Sequence, residues 1–142
     1  MAATRSRKIF VNLPVKDLKR SIDFFTKLGF TFNPQFTDDT ATCMILSEEA
    51  YVMLLTEEKF KSFSRKPVAD PRTTTGGMFA LSAESRAEVE DLVKKAVASG
   101  GAHAADPIDM PGFMFGWSFY DPDGHHWEVV WMDPAALQQQ AQ

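Results

Sequence analysis

The chain has 142 residues, of which 44% are hydrophobic and 24% charged, and its formal net charge is −4. This length allows one domain with a sizeable core, and the negative charge argues against nucleic acid, whose phosphates need concentrated Lys and Arg. No apolar run approaches the roughly 20 residues of a membrane span, and the N-terminus lacks the apolar core of a signal peptide. We therefore expect a cytoplasmic location and no membrane partner. The single cysteine, Cys43, excludes an intramolecular disulfide.

The first half of the chain predicts the order β-α-β-β-β. Residues 8–15 are typical of a strand, and Asp17 caps a helix whose apolar residues recur at helical spacing. Gly29 ends that helix. Three more strands are predicted, and the first of them is interrupted at Asn33-Pro34, which indicates an edge position. Their ranges are 30–36, 40–47 and 51–56.

The second half repeats this order. Residues 57–75 hold two prolines and many charges, so a short helical turn and an irregular linker are expected before the repeat. A strand at 77–82 precedes a helix that opens with the capping box Ser85-Arg86-Ala87-Glu88. A short strand within 102–107 and a turn at 109–112 follow.

The stretch from 113 to 133 predicts two strands joined by the turn Asp121-Pro122-Asp123-Gly124. The repeated unit predicts an α+β fold in which two βαβββ modules form a curved mixed sheet around a cleft. The single domain would span 8–133, with modules 8–56 and 76–133, linker 57–75 and a frayed tail at 134–142.

Three segments, VNLPVKDLKRSIDFFTKLGF, SRAEVEDLVKKAVASGG and DPDGHHWEVVW, resemble the vicinal oxygen chelate superfamily. That superfamily includes glyoxalase I, bleomycin-resistance proteins and extradiol dioxygenases, and the chain is most similar to a branch labelled predicted lactoylglutathione lyase. The resemblance covers residues 8–133. It implies a divalent metal held by four strand residues, which fall here on Phe10, Leu54, Met78 and Glu128. Because three of these are apolar, we expect no metal cofactor.

Two classes of function remain open. In the first, the protein binds a small molecule in an apolar pocket lined by Phe10, Leu54 and Met78, with polar anchors at Asn12, His126 and Glu128. In the second, it is a lactoylglutathione lyase-like or isomerase enzyme in which Glu128 is catalytic and shuttles a proton. A third possibility is a folded protein whose cavity is vestigial. For the Glu128 side chain itself, the alternative to a functional role is a partly buried acid that pairs with a donor such as His126 or Asn12. The resemblance further implies a homodimer.

The register of the last hairpin decides which of its residues face the pocket. With two loop residues, Trp117 and Phe119 lie opposite Glu128 and His126; with one more, Ser118 and Tyr120 take those places. The resemblance favours the second register. It places Gly116 and Ser118 in the pocket and sends Phe115, Trp117 and Phe119 to the side covered by a helix.

Overall fold

A computed structural model describes residues 5–136 of the chain. The chain divides into two compact units between Val68 and Ala69. Each unit contains one mixed sheet and the architecture is α+β, as the sequence predicts. Within the described residues, no helix is both long enough and apolar enough to cross a membrane.

The first unit holds a four-stranded sheet in the order β1-β4-β3-β2. In this sheet β1 pairs with β4 in parallel, whereas β4 with β3 and β3 with β2 pair antiparallel. A 3₁₀ turn at Pro34–Phe36 ends β2 earlier than predicted, because Pro34 cannot continue the ladder. The elements are β1 (Ile9–Val15), α1 (Leu18–Lys27), β2 (Thr31–Asn33), β3 (Ala41–Ile45), β4 (Ala50–Thr56) and α2 (Glu57–Phe63).

Helix α1 covers one face of this sheet. It begins where the Asp17 carboxylate accepts the Arg20 N–H at 3.1 Å, and it ends before Gly29, whose φ of 101° suits glycine. Its buried side chains and those of the sheet form the core of the unit: Leu13, Val15, Leu18, Phe24, Phe25, Leu28, Met44, Val52 and Leu54. The position of α2 directly after β4 agrees with the short helical turn predicted there.

The second unit holds a five-stranded sheet in the order β5-β9-β8, with two short strands, β6 and β7, that pair one after the other along the outer edge of β8. The pairing of β5 with β9 is parallel, as is that of β1 with β4 in the first unit. The elements are β5 (Met78–Ala83), α3 (Arg86–Ala98), β6 (Ala102–His103), β7 (Ile108–Met110), β8 (Met114–Tyr120) and β9 (His126–Met132).

The start of α3 is a reciprocal capping box. The Ser85 hydroxyl accepts the Glu88 N–H at 3.0 Å, and the Glu88 carboxylate accepts the Glu84 N–H at 2.7 Å. Arg86 lies over the ring of Phe115 at 4.2 Å, so odd-numbered residues of β8 face this helix. The core between helix and sheet is formed by Val89, Val93, Ala96, Phe115, Phe119, Trp127 and Val129.

The predicted turn at 109–112 is wrong in part. Ile108–Met110 forms β7 and pairs with β8, and the turn begins only at Pro111. The second strand of this βαβββ module is therefore split into β6 and β7 by residues 104–107. His103 pairs with Phe119 and Ile108 pairs with Gly116. The chain therefore advances five residues from β6 to β7 while β8 advances three, and the two extra residues form a bulge at the edge of the sheet.

The register of the last hairpin is confirmed as the one with the longer turn, because Ser118 pairs with Glu128 and Tyr120 with His126. Phe115 and Phe119 are buried on the helix side, as expected. Trp117 lies on that side too but stays partly exposed: its indole N–H donates to the Ala105 carbonyl at 3.0 Å and its ring stacks on His103. It borders the core and does not fill it.

Candidate functional site

The face of the second sheet opposite α3 is the candidate site, and we call it the open face. The alternation of side chains along each strand brings five residues singled out in the sequence to this one face. They come from β5, β8 and β9: Met78, Gly116, Ser118, His126 and Glu128.

Glu128 occupies the middle of the open face. Its neighbours across the strands are Ala80 on β5 and Ser118 on β8, both small. The Glu128 side chain is 39% exposed, and within residues 5–136 no Lys or Arg forms an ion pair with it. A half-exposed carboxylate that has no Lys or Arg partner and is bordered by small side chains leaves room for a ligand and supplies a group to hold it.

His126 lies next to Glu128 and is 9% exposed. Its Nε2 is 3.3 Å from Glu128 Oε1, but the two groups are not aligned for a hydrogen bond. The buried Nε2 therefore has no hydrogen-bond partner among the residues that the structure describes. Tyr120 packs edge-on against the imidazole, with ring centroids 5.6 Å apart, which fixes the ring beside the carboxylate.

Ser118 has a second role that the sequence does not reveal. Its hydroxyl oxygen accepts the Ala105 N–H at 3.1 Å, while the Ala105 carbonyl accepts the Trp117 indole N–H. The loop at 104–107 is thus held by two consecutive residues of β8 that point to opposite faces. Ser118 contributes to the edge of the sheet as well as to the open face.

The turn before β9 holds this hairpin in place. One oxygen of the Asp121 carboxylate accepts the N–H groups of the next turn residues, Asp123, Gly124 and His125, each at 3.0 Å, and the other accepts the Trp127 indole N–H at 3.0 Å. Burial raises the pKa of the Asp121 carboxyl, while the nearby His125 and these donors act in the opposite direction. The backbone of His125 also closes the turn, because its carbonyl accepts the Asp121 N–H at 3.1 Å.

The remaining predicted site residues belong to the first unit. Phe10 is 52% exposed and stacks on Tyr51, with ring centroids 4.9 Å apart. Asn12 lies on the same face of its sheet, and its amide donates to the Phe10 carbonyl at 3.3 Å. The placement of Leu54 beside Phe10 is wrong. Leu54 pairs with Leu13, lies on the face covered by α1 and is 0% exposed, so it cannot contact a ligand.

The residues at the four metal-ligand positions do not fit the metal that the fold implies. Phe10 and Leu54 carry no donor atom, Met78 offers only a thioether, and Glu128 alone supplies a hard ligand. Within residues 5–136, no three His, Cys, Asp or Glu side chains come together as a metal-binding group. One carboxylate beside one imidazole is too few ligands for a catalytic divalent centre.

Sequence reasoning missed the outer part of the open face. Ile108 and Met110 are 55% and 48% exposed and lie level with Gly116 and Met114 of β8. The alternation of Ile108-Asp109-Met110 is itself a strand signal, but the adjoining Pro111-Gly112 favours a turn.

Comparisons with known proteins agree on one fold. The family model described as Glyoxalase/Bleomycin resistance protein/Dioxygenase superfamily matches residues 9–129. A search of curated protein sequences finds no match. Among solved structures, a hypothetical protein from S. aureus is 29% identical, with a TM-score of 0.73 and coverage of 89% of this chain and 95% of the other.

Two further structures share the fold at lower identity. One is a glyoxalase/bleomycin resistance protein/dioxygenase family enzyme from Burkholderia phytofirmans, 14% identical, with a TM-score of 0.71 and coverage of 87% and 96%. The other is a lactoylglutathione lyase from Agrobacterium tumefaciens, 16% identical, with a TM-score of 0.66 and coverage of 90% and 95%. The match over residues 9–129, together with the fold, shows that this chain belongs to the glyoxalase/bleomycin resistance protein/dioxygenase superfamily.

Proposed function

We propose that this protein binds a small molecule on the open face of its second sheet, anchored by Glu128, without the four-ligand metal of its superfamily. The observation that carries this proposal is the half-exposed Glu128 carboxylate, which lies between Ala80 and Ser118 and has no Lys or Arg partner among the described residues. Phe10, Leu54 and Met78 at the other ligand positions support the absence of metal chemistry.

A thermal-shift screen tests the binding proposal. We expect compounds that raise the melting temperature of the wild-type protein and have no effect on Glu128→Gln, because bound ligand stabilises the folded state by mass action. Glu48→Gln, at an exposed carboxylate of the first unit, is the matched control and should respond like wild type. Compounds that stabilise wild type and Glu128→Gln equally would contradict the assignment of this face.

Elemental analysis tests the absence of metal. Protein purified without chelators should contain no stoichiometric Zn, Ni, Mn or Fe, and should form no lactoylglutathione from methylglyoxal and glutathione, even with added metal. One metal per chain that is lost in Glu128→Ala would contradict the proposal.

The second candidate is an isomerase in which Glu128 shuttles a proton. The contact that favours it is His126 Nε2 at 3.3 Å from Glu128 Oε1, close enough to exchange a proton after a small rotation. Solvent deuterium incorporated into a carbonyl compound by wild type but not by Glu128→Gln would favour this candidate over binding alone.

We also propose a homodimer, as the superfamily resemblance implies. Exposed apolar side chains on each unit, such as Phe10, Met78 and Ile108, support an association between copies. Sedimentation of a single 15.9 kDa species at micromolar concentration would contradict it.

A further inference from the structure

The open face has a polar end and an apolar end. The polar end consists of His126 and Glu128. Beyond it, the strand register brings β7, β8 and β9 residues level with one another in two rows that carry no charged side chain. The first row is Ile108, Gly116 and Val130, and the second is Met110, Met114 and Met132.

The polar end offers the Glu128 carboxylate as an acceptor and, in the tautomer that carries its proton on Nδ1, the Nε2 lone pair of His126 as a second one. Glu128 has no Lys or Arg partner in the described part of the chain, and the buried Nε2 of His126 lacks a hydrogen-bond partner there. Their atoms are 3.3 Å apart. A primary ammonium carries three N–H donors and one positive charge. It can therefore neutralise the accessible Glu128 carboxylate and donate to it, and a small rotation of the imidazole that exposes the buried Nε2 lets it donate to His126 as well.

The apolar end suits a flexible hydrocarbon. Methionine side chains adapt their shape to what they contact, and three of them form the far row. Met132 lies four residue steps beyond Glu128 along β9, which is about 13 Å at about 3.3 Å per step. Gly116, midway between the ends, adds no side chain to obstruct this path, and the atom nearest to the place of its missing Cβ is the mobile Met114 Cε at 3.3 Å.

We propose that the ligand is an amphipathic primary amine, with its ammonium between Glu128 and His126 and its apolar chain running over Val130 to the methionine row. This inference rests on the proposed small-molecule site and specifies its ligand class. It assigns the charge preference to Glu128 and the preference for chain length to the apolar end.

Calorimetric titration with butylamine, hexylamine and octylamine tests the inference on the wild-type protein. Each added methylene should tighten Kd about fourfold. Hexanol and hexanoate, which have the same chain with a neutral or negative head, should bind at least tenfold more weakly than hexylamine. Glu128→Gln should remove this preference for the amine. Val130→Ser should keep that preference and flatten the dependence on chain length. Urea melts of both variants establish that they are folded.

The two proposals fail in different ways. If hexanol or hexanoate binds as tightly as hexylamine and still depends on Glu128, the ammonium inference is overturned and the binding site stands. If the amines bind with one Kd whatever their length, the apolar path is overturned. If no amine binds, the inference is overturned, whereas the proposed function fails only when the wider screen finds no compound that depends on Glu128.

Discussion

Trp127 donates its indole N–H to the Asp121 carboxylate at 3.0 Å, and this bond joins the buried beginning of β9 to the turn that precedes it. Both residues are buried, and the other oxygen of the same carboxylate accepts three turn N–H groups. The position of the β9 side chains on the open face therefore depends on a polar contact on the opposite side of the strand.

Asp121→Asn should destabilise the protein although it preserves size. The Asn oxygen can still accept the turn N–H groups, but the Asn NH₂ group then faces the Trp127 indole N–H, so two donors meet and neither has an acceptor. We expect a loss of about 1–3 kcal/mol in the free energy of unfolding, measured by urea melts. Trp127→Phe removes the indole donor, so Asp121→Asn should cost less in that background. Equal costs in both backgrounds would contradict the role of the bond.

The two tryptophans of the hairpin should differ strongly in their contribution to stability. Trp127 is fully buried and packs against Phe79 and Phe119, so Trp127→Ala should cost about 3–5 kcal/mol. Trp117 is partly exposed at the sheet edge, so Trp117→Ala should cost clearly less and should loosen the loop at 104–107. Urea melts measure the first effect and amide hydrogen exchange of that loop the second. Equal costs would mean that Trp117 belongs to the core.

Gly124→Ala should be more damaging than Gly100→Ala. Both glycines have positive φ, 100° and 113°, so each substitution carries about 1–2 kcal/mol of backbone strain. A Cβ at Gly124 would also lie 2.6 Å from the Pro71 carbonyl oxygen, whereas nothing lies within 4 Å at Gly100. The difference between the two melting temperatures isolates the contact with Pro71. Identical temperatures would show that this segment moves aside freely.

Cys43 should be unreactive in the folded protein. It is 2% exposed in β3, and burial raises the pKa of its thiol, which keeps it protonated at neutral pH. A thiol reagent such as DTNB should label it slowly in buffer and completely in urea. Because the pKa is higher in the folded state, the contribution of the neutral thiol to stability should be lost only as the pH rises through that value. Rapid labelling without denaturant would contradict this.

The sequence located the last turn at Asp121 to Gly124 but left two registers open, and the resemblance to the superfamily favoured the correct one, in which Ser118 pairs with Glu128. The prediction that Leu54 lines the pocket failed. Counting residues from a motif does not tell which side of the sheet a residue faces, and a shift by one residue moves its side chain to the opposite side. The unpaired Nε2 of His126 could not be predicted either. Its alignment with Glu128 depends on side-chain angles that are set by packing against Tyr120.

We expect the division of the outer edge of the second sheet into β6 and β7 to hinder aggregation through that edge. A long, regular edge strand offers a continuous row of free N–H and C=O groups to which another chain can add. Here that row is broken by residues 104–107, which the Ser118 hydroxyl and the Trp117 indole hold in place. The Asp109 carboxylate on β7 also pairs with Arg86 at 2.9 Å. An incoming strand would find only two or three consecutive residues to pair with, too few to start a fibril-like ladder.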